Sequence, residues 1–267
     1  MRPLSRRALL RGGALALAGG ALGAAGATEL PRWCGWDHPP LSGGYAAADD
    51  TPAAIGMSAV TVRYFVNTAE PVVALTLDDG PGPKWTPMFL DALAEAGIPA
   101  TFFMVGRNVE RYAGLVRDRL AGHEIGNHSW SHRDLATLDL ATIRDDLTRT
   151  AATIEDRLGR TPTLLRPPYG HIGGSTLLAA DSMGYEVILW NRAMRELQFR
   201  GDPAGQARDL VDTIRPGAVI LAHDIGDERR LVGLRSIPAL AAGLKAKGYR
   251  FVTVSDLIAS ATTTAQD

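Results

Sequence analysis

Two adjacent carboxylates follow an apolar run in the first third of the chain. Residues 72–77 read Val-Val-Ala-Leu-Thr-Leu and lead directly into Asp78 and Asp79, after which Gly80-Pro81 forms a turn. Such a run is typical of a buried parallel strand, and α/β proteins place their chemistry at the carboxyl ends of these strands. Two neighbouring carboxylates repel each other unless a cation or a difference in role separates them. A polar turn that caps the next helix would explain the pair equally well.

Histidines and an arginine follow other apolar runs in the same way. His128 and His132 come after a third strand-like run, Arg166 after a fourth and His223 after a sixth. Since the carboxyl ends of parallel strands share one face, these groups can converge on a single cleft. Imidazole and carboxylate groups are the ligands that a divalent metal such as Zn²⁺ prefers. We therefore predict a metal held by two histidines and one aspartate, with positions left open for water and substrate.

Strands and helices must alternate to bring these groups together. The predicted strands are 72–77, 99–105, 123–128, 163–166, 186–190, 218–223 and 249–254. The predicted helices are 85–96, 109–120, 139–158, 175–183, 205–214 and 237–247. Seven strands joined by helical crossovers predict an α/β domain with a parallel sheet, either a barrel or an open doubly wound sheet. Alternating apolar residues over 60–66 predict one more strand at an edge.

Composition and the amino terminus indicate an exported protein. The chain has 267 residues and a net charge of −1, which fits one α/β domain and gives no reason to expect a nucleic-acid partner. Residues 1–11 are basic, residues 14–27 are apolar, and Ala25-Gly26-Ala27 resembles a cleavage site. Ser5-Arg6-Arg7 resembles a twin-arginine signal, with an ordinary secretory signal or an uncleaved anchor as alternatives. We expect export to the periplasm, cell wall or exterior, with no membrane span after cleavage.

The mature chain divides into a short lead segment and one domain. Residues 1–27 are the predicted export signal, and 28–56 carry Pro, Gly and Ala without periodicity, which indicates a linker or wrap. The domain is predicted over 57–267, with its core at about 70–257. Cys34 is the single cysteine and cannot form an internal disulfide.

Four short motifs, in this order, resemble those of a known family. They are Thr76–Pro81 (T-L-D-D-G-P), His128–His132 (H-S-W-S-H), Leu165–Gly170 (L-R-P-P-Y-G) and Leu221–His223 (L-A-H). The chain resembles the polysaccharide deacetylases of the NodB-homology type, carbohydrate esterase family 4, over roughly residues 70–257. The resemblance implies a distorted (β/α)₇ barrel.

The same resemblance implies a role for each matching residue. Asp78 would be the general base toward a metal-activated water, and Arg166 would orient it. His223 would be the general acid that protonates the leaving amine, and the backbone N–H of Tyr169 would stabilise the oxyanion. The metal would be Zn²⁺, with Co²⁺ or another divalent ion as alternatives. Its ligands would be Asp79, His128 and His132.

One motif departs from the family pattern. The family's fourth motif resembles D-x-x-D-W, and here Ala193, Glu196 and Leu197 occupy its three marked positions. The missing first aspartate normally supports the acid histidine, so we expect lowered or redirected activity unless Glu196 or Asp224 takes its place. Leu197 is expected to alter the wall of the acetyl pocket. The other expected lining residues of the substrate pocket are Leu221, Trp190 and Pro168.

These observations predict a metal-dependent hydrolase that removes N-acetyl groups from an amino-sugar polysaccharide, either peptidoglycan or chitin-like oligomers. One alternative is an O-acetyl esterase of the xylan type, because an ester depends less on the acid histidine than an amide does. The other alternative is a non-catalytic glycan-binding relative, although binding alone requires neither Asp78 nor His223.

Overall fold

A computed structural model describes residues 60–261 of the chain, and these residues form one parallel sheet covered by helices. The predicted export signal and the whole lead segment 28–56, with Cys34, lie outside the described residues. The strands within residues 60–261 are β1 (Val62–Arg63), β2 (Val72–Asp78), β3 (Thr101–Met104), β4 (Glu124–Asn127), β5 (Leu164–Leu165), β6 (Glu186–Ile188), β7 (Arg192–Ala193), β8 (Ala218–His223) and β9 (Arg250–Val252). All seven strands predicted from residue 72 onward are therefore present.

The strand order explains how the sheet curls into the expected barrel type. The order is β1-β6-β5-β4-β3-β2-β8-β7, and every pair is parallel. β2 pairs with β8 along most of its length, with β3 over its last three residues and with β9 over its first three. The predicted edge strand is present as β1, but it has only two residues. The chain after β6 pairs with β8 as β7. Phe65, just after β1, forms an isolated antiparallel bridge with Ala218 at the start of β8, which links the two ends of the strand order.

The helices cover the outer face of the sheet, except the last, which packs inside the curl. They are α1 (Trp85–Ala96), α2 (Gly106–Tyr112), α3 (Leu140–Leu158), α4 (Gly174–Ser182), α5 (Pro203–Thr213), α6 (Leu231–Ala246) and α7 (Val254–Ala259). Three predictions were wrong in detail. The helix expected over 237–247 begins six residues earlier, at Leu231. The helix expected over 109–120 ends at Tyr112 and continues as two short 3₁₀ turns. The last strand stops at Val252, because the Thr253 hydroxyl accepts the Asp256 N–H and caps α7.

Alternation along β2 directs the Asp78 carboxylate inward. Val73, Leu75 and Leu77 pack beneath the helices, whereas Val72 and Ala74 pack inside the curl. Because successive side chains of a strand point to opposite faces, Asp78 continues the inward set. All seven residues of β2 are buried, and a fully buried leucine contributes about 1.5–3 kcal/mol.

The interior of the curl is filled at its amino end. Val254 and Leu257 of α7 pack in the same interior cluster as Ala74 and Phe103. The polar side chains therefore collect at the opposite, carboxyl end. Within residues 60–261, no helix combines the length and the apolar character needed to cross a bilayer.

Candidate functional site

The carboxyl ends of β2 and β8 bring Asp78 and His223 side by side. These two residues are register partners across the parallel pair, so their side chains leave the sheet at the same level. Asp78 is 4 % exposed, and its Oδ1 accepts a hydrogen bond of 2.7 Å from Arg166 Nη1. A buried carboxylate with a fixed cationic partner is held in one orientation, as a general base requires.

Asp79, His128 and His132 form the predicted metal-binding group. Their candidate ligand atoms all lie within 4.8 Å of one another. Asp79 Oδ1 is 3.5 Å from His128 Nε2 and 3.0 Å from His132 Nε2. Three atoms at zinc-ligand distance in a tetrahedral arrangement are separated by about 3.4 Å, so the spacing fits a divalent ion. One carboxylate and two imidazoles also match the donor set of a catalytic site.

The tautomer of His128 is fixed by the backbone. Its Nδ1 lies 2.6 Å from the carbonyl oxygen of Arg166, and a carbonyl can only accept a hydrogen bond. Nδ1 therefore carries a proton, and Nε2, which faces Asp79, is the nitrogen that a metal would bind. A second hydrogen bond of this kind is how proteins orient metal-binding histidines.

The charge of Asp79 is stabilised by its neighbours. Burial alone would raise the pKa of Asp79, but hydrogen bonds from His128 and His132 outweigh burial and hold that pKa far below its ordinary value. Arg230 Nη1 lies 3.4 Å from the second carboxylate oxygen of Asp79. The sequence gives no sign of this contact, because Arg230 lies in a single 3₁₀ turn before α6 that has no periodic pattern.

Arg166 is fully buried and uses its guanidinium to hold several elements together. It donates to the carbonyls of Ile188 and Leu189, both at 2.9 Å, and to the Thr76 hydroxyl at 2.7 Å, besides its bond to Asp78. Burial lowers the pKa of Arg166, and the charge of Asp78 opposes that shift. Arg166 therefore orients Asp78, and it also joins β2 to the chain after β6.

Glu196 is the carboxylate that binds His223, in place of the aspartate that is missing from the fourth motif. Its Oε1 accepts a hydrogen bond of 3.1 Å from His223 Nδ1, and Glu196 is 8 % exposed. Burial alone would lower the pKa of His223, but the hydrogen bond to Glu196 and the charges of Asp78 and Glu196 raise it, while Arg230 opposes the rise. Of the two substitutes considered, Glu196 makes this contact, whereas the Asp224 carboxylate accepts a hydrogen bond from Thr86 instead. Ala193, at the position of the missing aspartate, pairs with Leu221 in the sheet.

The expected pocket residues lie around these groups. Leu221 is 7 % exposed in β8, Pro168 is buried, and Trp190 packs against Gly170, where a Cβ would come within 2.8 Å of the indole. Tyr169 is 59 % exposed, and its ring lies edge-on to that of His132 at a centroid distance of 4.6 Å. Leu197 is 61 % exposed and therefore forms no buried part of a pocket wall.

Several site residues have left-handed backbone conformations that β-strand and helix patterns do not predict. The φ angles are +79° at Asp79, +66° at Ser129, +61° at His132 and +62° at Tyr169. Such conformations are uncommon outside glycine and cost about 1–3 kcal/mol each. They turn the chain sharply at the end of a strand and direct the side chains or N–H groups into the cleft.

Asp224, considered above as a support for His223, binds the Thr86 hydroxyl instead. It is fully buried, its Oδ2 accepts from the Thr86 hydroxyl at 2.6 Å, and its Oδ1 has no partner among the described residues. A Cβ on Gly80 would lie 2.3 Å from Asp224 Oδ2, so only glycine fits there. Burial is the main cause that raises the pKa of Asp224 to about 7, and the negative charge of Asp79 adds to it.

We expect the variant Asp224→Asn to remove a pH dependence from the stability of the fold. The unfolded pKa is 3.8 and the folded pKa about 7, so the folded state keeps a proton that the unfolded chain releases. The stabilisation is complete below pH 3.8 and is lost as pH rises through 7. Relative to Asp224→Asn, the wild type should lose up to about 1.4 kcal/mol per pH unit between pH 4 and 7.

Urea unfolding in EDTA at a series of pH values measures this difference. Asp118→Asn, a change at an exposed carboxylate in a surface turn, is the control and should follow the wild type. Parallel stability curves for the wild type and Asp224→Asn would contradict the expectation.

Comparisons with known proteins place these observations in one family. Residues 65–188 match the model of the family described as polysaccharide deacetylase. A peptidoglycan-N-acetylglucosamine deacetylase of Bacillus cereus is 34% identical over 74% of this chain and 92% of its own length. A solved peptidoglycan N-acetylglucosamine deacetylase has a TM-score of 0.70 and 29% identity, covering 76% of this chain and 95% of its own. A family 4 acetyl xylan esterase from Clostridium thermocellum, solved with a cobalt ion, has a TM-score of 0.65 and 32% identity, covering 70% and 90%.

Proposed function

The chain belongs to the polysaccharide deacetylase family, carbohydrate esterase family 4, and on that premise we propose that it is a metal-dependent hydrolase that removes N-acetyl groups from an amino-sugar polysaccharide. The observation that carries the proposal is the separation of roles between the two carboxylates. Asp79 faces both histidines, whereas Asp78 is held by Arg166 and lies beside His223. An amide needs both a base for the attacking water and an acid for the leaving amine.

The residues of this chain suit each proton transfer. When bound by Asp79, His128 and His132, a divalent metal would supply Lewis acidity toward the acetyl carbonyl and make a water more acidic. Asp78 accepts the proton of the attacking water, and Arg166 keeps it oriented toward the cleft. His223 donates a proton to the departing nitrogen, and Glu196 holds its Nδ1–H so that Nε2 is available for that transfer. The N–H of Tyr169 is proposed to stabilise the oxyanion.

The proposed metal is Zn²⁺, with Co²⁺ or another divalent ion as alternatives. The imidazole-carboxylate donor set supports this choice, and the xylan esterase relative was solved with cobalt. We further propose peptidoglycan as the polysaccharide and export as the route to it. The peptidoglycan deacetylase relatives and the basic, apolar amino terminus that ends in Ala-Gly-Ala support these two points.

The pair formed by His223 and Glu196 favours amide over ester hydrolysis. An alkoxide leaves more easily than an amine, so an O-acetyl esterase depends less on an acid histidine. The structure nevertheless provides His223 with a buried carboxylate partner, and that partner raises the pKa of His223. The esterase alternative had depended on a His223 without a carboxylate partner. The contact with Glu196 supplies that partner, so this argument for the esterase no longer holds.

Acetate release from three substrates tests the proposed function. The purified protein is analysed for bound metal and then incubated with peptidoglycan, chitin oligomers and acetylated xylan. We expect release from the amino-sugar polymers that stops with a chelator and returns with Zn²⁺ or Co²⁺. Release from xylan alone would support the esterase, and metal-loaded protein that releases acetate from none of the three would overturn deacetylation.

We expect Glu196→Gln to lower kcat for N-acetyl substrates by about 10- to 100-fold, because His223 loses the charge that stabilises its protonated form. Glu196 raises the pKa of His223, so the variant should lose activity at a lower pH than the wild type on the alkaline side of its pH profile. The measurement is kcat against pH on chitin oligomers.

Glu186→Gln is the matched control for that measurement. Glu186 is a partly exposed carboxylate that binds Arg63 at 2.6 Å at the β1–β6 edge, away from the cleft. Its variant should keep the wild-type pH profile. An alkaline limit that stays in place in Glu196→Gln would show that Glu196 does not tune His223.

A further inference from the structure

A cavity of about 260 Å³ lies next to the wall of the site that carries His223 and Glu196. Its lining includes three guanidinium groups and one carboxylate, namely Arg200, Arg229, Arg235 and Glu228. We call this cavity the arginine pocket. Its volume is below the roughly 300–1,000 Å³ of pockets for drug-sized ligands, so it suits one small charged substituent rather than several sugar rings.

Both walls of the arginine pocket continue directly into residues of the active site. One wall begins at Arg200, four residues after Glu196. The other is the start of α6, where Arg230 lies next to Arg229 and reaches to 3.4 Å from Asp79. Glu196 also packs against this turn of α6, since its Cγ would lie 3.4 Å from a Cβ on Gly233. The pocket therefore adjoins the side from which His223 acts on the leaving group.

Two of the three guanidinium groups are available to a ligand. Arg229 binds Asp227, and Glu228 lies 3.9 Å from Lys84. Arg200 and Arg235 are exposed, and neither side chain has an ion pair or hydrogen bond within residues 60–261. A guanidinium binds a carboxylate through two parallel hydrogen bonds, which gives orientation as well as attraction.

We propose that the arginine pocket binds a carboxylate carried by the sugar next to the one that is deacetylated. This inference rests on the proposed function, and it selects an anionic glycan such as the peptidoglycan strand over a neutral chitin oligomer. The carboxylate has two sources in that polymer. One source is the lactyl group of a muramic acid residue whose peptide has been removed. An attached peptide converts the lactyl carboxylate into an amide, so in strands that keep their peptides the source is a carboxylate of the peptide itself.

Binding measurements on a double variant test the arginine pocket. Arg200→Gln/Arg235→Gln is combined with Asp78→Asn to limit substrate consumption, and affinities are measured by calorimetry. The probes are peptidoglycan strands with peptides, the same strands after amidase treatment, and chitopentaose. We expect the double variant to bind one of the two anionic strands about 10-fold more weakly, which is about 1.4 kcal/mol, with chitopentaose binding unchanged. The strand that loses affinity identifies the source of the carboxylate.

The matched control removes two exposed arginines at the opposite end of the sheet. Arg160 and Arg215 precede β5 and β8 and so lie at the amino ends of those strands. If Arg160→Gln/Arg215→Gln weakens strand binding equally, general electrostatic attraction explains the effect and the subsite is overturned. Unchanged affinity in the Arg200→Gln/Arg235→Gln variant also overturns it. Strand binding that depends on Arg200 and Arg235, without acetate release by the wild type, supports the subsite and rejects the proposed function.

Discussion

Replacing Asp78 with asparagine is expected to lower the rate of acetate release by about 10³-fold while the metal content stays that of the wild type. The amide can still accept the Arg166 hydrogen bond but cannot take a proton from water, and general base catalysis contributes about 10²–10⁴-fold. Asp78 lies beside the metal-binding group, and its carboxylate is bound by Arg166. The measurements are kcat on chitin oligomers and metal per protein by elemental analysis.

Two further variants separate the base from the metal ligand and from general charge effects. Asp79→Asn should lose metal as well as activity, because Asp79 is the carboxylate that faces both histidines. Asp134→Asn should keep both, since Asp134 binds His171 at 2.7 Å outside the metal-binding group. Asp78→Asn protein that keeps its fold and metal and more than a tenth of wild-type activity would remove Asp78 from the role of base.

The variant Arg166→Met is expected to lower the free energy of unfolding by about 3–5 kcal/mol, the usual cost of removing one partner of a buried ion pair. For a domain of this size that corresponds to roughly 6–20 °C in Tm. Arg166 is fully buried, and its loss leaves the Asp78 charge, the Thr76 hydroxyl and two carbonyls without their donor. Thermal unfolding followed by circular dichroism measures the change.

The double variant Asp78→Asn/Arg166→Met identifies the cause of that loss. If the unpaired charge of Asp78 is responsible, neutralising it should restore part of the stability, and the two changes should be non-additive. Arg119→Met is the control, because Arg119 binds the exposed Asp91 and an exposed pair contributes at most about 1 kcal/mol. A loss in Arg166→Met no greater than in Arg119→Met would show that the buried pair does not stabilise the fold.

The parts of the fold that sequence predicted best are those fixed by apolar patterning. Seven of the eight strands from residue 72 onward were predicted, most of them because they are short apolar runs between turns. The short strand β7 was not, since two residues carry no periodic pattern. The helix predicted over 109–120 was too long, because apolar spacing continues through residues that adopt 3₁₀ turns instead.

In the candidate site, too, residues that follow strands were predicted, whereas residues brought in by long-range contacts were not. His128 and His132 were grouped with Asp79 from their place after strands, and the structure brings them together. Glu196 could be named as a substitute but not assigned, because its contact with His223 spans 27 residues across an irregular loop. The approach of Arg230 to Asp79 spans 151 residues and left no local signal.

Arg166 connects the two halves of the site through opposite ends of one residue. Its guanidinium binds Asp78, and its carbonyl oxygen accepts the Nδ1–H of His128. A shift of this one backbone position would therefore move the proposed proton acceptor and a proposed metal ligand together. Metal affinity and the rate of proton transfer to Asp78 are therefore coupled. Selection for a different metal at this site would also change that rate. Engineering of one property has to take account of the other.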